Sequence, residues 1–156
     1  MNAHKQVKIR ILLFWVGIVF TWGCSLTSEP NPQSVDDHFR EWKSMNIKNY
    51  TIEQQRLCFC IEAGYTAKVT VTNNIITNVV NLDTGAQVNS DKWHLFKTID
   101  ELFSILEEVN ESKVNSIKIE YDKNYYFPTY FYVDPIKEAV DEEYGYRSIN
   151  FKLTGK

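Results

Sequence analysis

The 156-residue chain is poor in glycine, proline, cysteine and histidine, with 6, 4, 3 and 3 copies. So little glycine and proline excludes a collagen-like or linker protein. No His-Glu-x-x-His, Gly-x-Ser-x-Gly or Ser-x-x-Lys motif occurs, and past residue 24 the glycines stand alone at 64, 85, 145 and 155, so no glycine-rich loop cradles a phosphate. Basic residues do not cluster and the net charge is -3, which argues against a nucleic-acid platform. No apolar run reaches the roughly 20 residues of a spanning helix, and no internal repeat is visible. What is present, 44% hydrophobic, 24% charged and 14% aromatic residues, describes a folded chain rather than a disordered one. The length suits one domain and is too short for two full cores.

The N-terminus has the layout of a targeting segment. Lys5, Lys8 and Arg10 precede an uncharged apolar run from Ile11 to Trp22, followed by Gly23 and Cys24. A basic start, a short apolar stretch and a small residue before the cut describe a secretory signal. Gly23-Cys24 resembles the end of a bacterial lipoprotein signal, although Thr21 and Trp22 depart from the usual Leu and small residue. That resemblance implies lipidation at Cys24 and a membrane partner through the lipid; an ordinary cleaved signal and an uncleaved short anchor are the alternatives. Each buried acyl CH2 contributes about 0.8 kcal/mol, so several chains on one residue anchor firmly. The expected organisation is a signal peptide over 1–23, a Ser/Pro-rich flexible tether over 24–33 and one domain over 34–156. Without residues 1–23, which hold three basic and no acidic groups, 14 Lys and Arg face 20 Asp and Glu, a net charge of -6. Such a domain is repelled by anionic lipid, and its expected place is the cell envelope, outside the cytoplasm.

Periodicity predicts the order α-β-β-β-α-β-β-β. Ser34 caps a helix to about Asn46, with Val35, His38, Phe39, Trp42 and Met45 on one stripe; His38 reads as a packed histidine rather than a ligand. Tyr50–Ile61 reads as a strand whose apolar parity changes, from Tyr50 and Ile52 to Leu57, Phe59 and Ile61, so a bulge near Gln54–Arg56 or two buried faces are expected. Tyr65–Thr72 alternates, Asn73-Asn74 turns, and Ile75–Leu82 returns. A polar connection leads to about Lys97. Thr98 and Glu101 form a capping box before the stripe Ile99, Leu102, Phe103, Leu106 and Val109. Ser112–Tyr121, Tyr125–Val133 and Tyr144–Leu153 are the last strands; Pro128 implies an edge or a bulge, and Arg147, Ile149, Phe151 and Leu153 are expected on one face. Strands in runs predict an α+β domain: an antiparallel sheet of five to six strands with two amphipathic helices on one face.

With Cys24 lipidated, Cys58 and Cys60 can pair only with each other. In an extended strand residues two apart are separated by about 6.6 Å, and a disulfide spans about 4.4–6.8 Å. A structural pair, a redox pair and a soft-metal site all remain open. Zinc prefers four ligands, and the domain adds only His38 and His94 at no ligand spacing. Asp134, Asp141, Glu142 and Glu143 lack a calcium-loop pattern and read as a solvated acidic face. No cofactor and no catalytic residue is indicated.

The ordered set Cys58-Phe59-Cys60, Val69-x-Val71, Asp83-Thr84-Gly85, Thr98-Ile99-x-x-Leu102-Phe103, Tyr121-Asp122, Phe127-Pro128-Thr129, Asp134, Asp141-Glu142-Glu143 and Ile149-Asn150-Phe151 resembles a bacterial family of small secreted or lipid-anchored domains of unknown function, marked by the Cys-x-Cys. The resemblance covers Tyr50 to Phe151 and implies no catalytic residues. Members often show Gly-Tyr-Pro-Thr where this chain has Tyr126-Phe127-Pro128-Thr129. Seven aromatics lie between Tyr121 and Tyr132. With Phe127 and Phe131 in the core, Tyr126, Tyr130 and Tyr132 fall on the opposite face as a candidate binding surface; a strand buried on both sides is the plainer alternative. The sequence therefore points to a non-enzymatic, lipid-anchored envelope protein for binding or assembly, with an envelope protein as its partner. A thiol redox or soft-metal protein using Cys58 and Cys60 is the alternative.

Overall fold

The computed structural model describes residues 34–139 and 141–155. The expected signal, Cys24 and the tether lie outside the described residues. In chain order the elements are α1 (Val35–Ser44), β1 (Tyr50–Cys58), β2 (Thr66–Thr72), β3 (Ile75–Asn81), a short 3-10 helix (Ser90–Leu95), α2 (Ile99–Glu111), β4 (Ser116–Tyr121), β5 (Pro128–Asp134) and β6 (Tyr144–Leu153). The strands make one six-stranded antiparallel sheet in the order β3-β2-β1-β6-β5-β4. Each half is thus a helix followed by three locally paired strands. The first and last strands meet at the centre.

Local chemistry sets the element ends. The Ser34 hydroxyl accepts the Asp37 N–H at 3.1 Å, which starts α1. At α2 the Thr98 hydroxyl accepts from the Glu101 N–H at 3.2 Å, and the Glu101 carboxylate accepts from the Thr98 N–H at 2.7 Å, completing the capping box. Asn73 and Asn74 both take left-handed φ, 51° and 61°, the conformation of a two-residue hairpin turn that suits the twist of β2 and β3.

Both helices cover one face of the sheet. Trp42 of α1 packs with Tyr50, Phe127 and Phe151, while Leu102, Leu106 and Val109 of α2 pack with Phe131, Val133 and Tyr146. The Trp42 indole donates to Asp100 at 2.8 Å and ties the helices together. Two polar groups inside are paired with the backbone: buried Gln54 donates to the Lys97 carbonyl at 2.7 Å and accepts the Lys97 N–H at 3.0 Å, and the Tyr50 hydroxyl accepts the Ile99 N–H at 2.8 Å, whereas the Ser148 and Tyr121 hydroxyls are buried without a partner. Burial raises the Tyr50 phenol well above its ordinary value and pushes Tyr121 up to about 12.

Four expectations change. β1 stops at Cys58, and Phe59 and Ile61 are 81% and 89% exposed rather than buried in a continuing strand. β1 does not change parity, since Tyr50, Ile52 and Gln54 are buried in alternation; the register shift against β6 between Thr51 and Glu53 places its extra residue in β6, not at Gln54–Arg56. On β6 the same shift breaks the expected face: Tyr146 and Ser148 are buried, Arg147 and Ile149 are exposed, and Leu153 is 54% exposed. Asn150 absorbs it with a left-handed φ of 53°, so Phe151 returns to the core side. Pro128 keeps to the second of its two expected settings: it opens β5 at a register irregularity opposite Tyr121, while β5 is interior, between β4 and β6. Finally, the connection before Lys97 contains a helical turn and buries Phe96.

Candidate functional site

Alternation along β5 separates its side chains. Phe131 and Val133 enter the core, and Tyr130 and Tyr132 stand on the face that no described helix covers. Tyr132 is 37% exposed, so the strand is not buried on both sides. Register brings charge to these rings. Tyr130 lies opposite Glu120 of β4 and Arg147 of β6; Tyr132 lies opposite Lys118 and Gly145. The Lys118 ammonium sits 5.2 Å from the Tyr130 ring centroid and the Arg147 guanidinium 5.3 Å. Both distances fall within the range of cation–π attraction. Lys118 also pairs with Glu120 at 2.7 Å. The hydrogen bond to Glu120 raises the lysine pKa and lowers that of the glutamate. The Tyr132 phenol is raised by desolvation and by the Glu143 and Asp134 carboxylates.

Gly145 makes the close pairing of β5 and β6 feasible. A Cβ there would stand 2.0 Å from the Phe131 carbonyl oxygen. No larger residue fits without moving the backbone that aims Tyr130 and Tyr132.

Tyr126 does not join this surface. Its backbone is left-handed, φ 62°, and its ring lies 6.4 Å from His38 of α1, on the helix side. His38 itself stacks on Tyr121 at 3.5 Å and its Nδ1 lies 2.8 Å from the Ser34 carbonyl oxygen, so it is a packed histidine. The sequence marks neither Lys118 nor Arg147 as a contact residue; Arg147 enters there only as a face residue of the last strand. They meet Tyr130 only through the register of three strands.

The second region is the turn after β1. Cys58 and Cys60 form a disulfide across a Cα separation of 5.3 Å. Paired sulfurs supply neither two thiolates for a soft metal nor a free thiol for exchange, so the bond does not favour the thiol alternative. The end of β1 and the turn itself border an open cavity of about 610 Å3, lined by Arg56, Leu57, Phe59 and Ile61 among others. Arg56 Nη2 donates to Cys60 Sγ at 3.3 Å, while Nη1 is buried without a partner. Gln55 braces the turn by donating to the Gly64 carbonyl at 3.0 Å. Among the described residues no group of three or more His, Cys, Asp or Glu side chains gathers where it could hold a metal ion.

Residues 34–153 match the sequence profile of a family described as a family of unknown function (DUF6174). The chain belongs to this family. DUF6174 therefore spans the whole described domain, from the cap of α1 to the end of β6. No curated protein and no solved structure matches the chain.

Proposed function

We propose that this DUF6174 protein is a non-enzymatic envelope protein, anchored by lipid at Cys24, that binds a partner protein through the uncovered sheet face at Tyr130 and Tyr132. One observation carries the binding site: an aromatic ring stands between the Lys118–Glu120 ion pair and the Arg147 guanidinium, on a face that no described helix covers. Tyrosine offers large contact area at low entropic cost, and arginine and tyrosine are enriched among residues that dominate interfaces. The patch sits on a domain that is otherwise net acidic. Its complement is an acidic segment of the partner, which the rest of the surface would repel. The anchor rests on the basic, apolar and Gly23-Cys24 succession alone.

Two measurements test the two halves separately. Labelled palmitate enters the wild-type chain and is lost in Cys24→Ala; incorporation into that variant, or none into the wild type, removes the anchor. A protein cross-linked to the wild type in intact cells and identified by mass spectrometry is lost, and lost again at high salt, when Tyr130→Ala and Tyr132→Ala are combined. An unchanged cross-link in the folded double variant overturns the surface.

A further inference from the structure

The two edges of the sheet are treated differently. At the β3 edge the chain folds back on itself. Val80 bridges Gln87, the Asn81 N–H donates to the Ala86 carbonyl, and the Val88 N–H donates to the Val79 carbonyl, both at 2.9 Å. At the β4 edge, among the described residues, Ser116–Tyr121 pair with β5 alone, and the only further contact to their backbone is the Thr129 hydroxyl on the Glu120 carbonyl. Bare strand edges pair with other strands unless something blunts them, and a lone lysine is a common guard. Here the guard is neutralised, because Lys118 is paired with Glu120 on the same face. Ile117 adds an apolar side chain that is 39% exposed.

We infer that β4 is the pairing edge for a second copy of this chain, joined antiparallel about a two-fold axis through Ile119. The charge pattern selects the register. Centred on Ile119, Lys118 faces Glu120 of the second copy and Glu120 faces its Lys118, Ile117 faces Tyr121, and the two Ile119 side chains meet. A slip of one pairing step in either direction that keeps the same face puts Lys118 opposite Lys118 or Glu120 opposite Glu120, which is destabilising. A two-fold contact of this kind is self-complementary and closes at two copies, because β4 is then used up and the β3 edge is covered over its C-terminal half. The product is one continuous twelve-stranded sheet, six strands from each copy. This inference shares Lys118 with the tyrosine patch but uses neither Tyr130 nor Tyr132.

The test uses two differently tagged full-length copies, co-expressed and extracted in mild detergent. Wild type captures wild type. Lys118→Glu with itself, and Glu120→Lys with itself, each lose roughly tenfold or more in capture, since both copies then present like charges across the axis. Lys118→Glu mixed with Glu120→Lys recovers capture, because one edge is then acidic and the other basic. Circular dichroism shows that each variant is folded. Absence of wild-type self-capture, undiminished capture by either single variant, or failure of the mixed pair to recover overturns the β4 interface. Tyr130→Ala leaves self-capture unchanged, so this inference and the partner surface fail independently.

Discussion

The helix-covered and uncovered faces of the sheet are made by the same strands, residue by alternate residue, yet they obey different constraints. On the covered face every large side chain is fitted to a neighbour, and the polar atoms of Tyr50 and Gln54 meet backbone partners at residues 97–99. On the uncovered face the contacts are long-range and electrostatic, as in Lys118, Tyr130 and Arg147. The first face fixes the fold and tolerates little. The second can vary without unfolding the domain, which makes it the place where recognition can be built.

That contrast is broken or sharpened by substitutions on each side. Trp42→Ala removes the side chain that joins α1 to Tyr50, Phe127 and Phe151, and it leaves Asp100 without its indole donor. A loss of about 3–5 kcal/mol is expected in denaturant titration. Gln54→Leu keeps the volume but strands the Lys97 N–H and carbonyl; each buried group left unpaired costs about 1–3 kcal/mol. A loss under half a kilocalorie would show that water replaces the amide.

Alkaline titration acts most strongly on the covered face. Half-buried Tyr121 holds its proton to about 12 rather than 10.0, so the unfolded chain ionises first. The tyrosine contribution to stability is therefore constant below about pH 10 and falls as pH rises from there toward pH 12, with Tyr50 and Tyr146 adding in the same direction. A guanidinium midpoint that is flat or rising from pH 9 to 11 would contradict this. The smallest effect belongs to the uncovered face: Tyr132→Ala should change stability by no more than about 0.5 kcal/mol. A much larger loss would mean that this face is structural too.

How much of this was legible in the sequence follows how local each signal is. The Ser34 cap, the Thr98–Glu101 box and the Asn73-Asn74 turn depend on residues within one turn of chain, and the structure keeps all three. The failures share one cause, a break in period that side-chain type does not announce. Asn150 resets the parity of β6, so Arg147 and Ile149 separate from Phe151. Phe59 and Ile61 continue the alternation of a strand on paper, but the Cys58–Cys60 bond has already turned the chain away. Tyr130 and Tyr132 could be placed from Phe131 alone. Tyr126 could not, because its left-handed backbone lies before the strand begins. Lys118 and Arg147 carry no mark of their own in the sequence; only pairing across β4, β5 and β6 reveals them.

The central position of β6 has a consequence for how the chain is made. Hairpins β1–β2–β3 and β4–β5–β6 can each form from nearby residues, but the seam between them joins Tyr50 to Leu153 and Cys58 to Tyr144. A nascent chain that still lacks its final dozen residues holds β1 with a naked flank, and Trp42 has no Phe151 to close over it. Completion of the domain therefore waits for β6 to be synthesised.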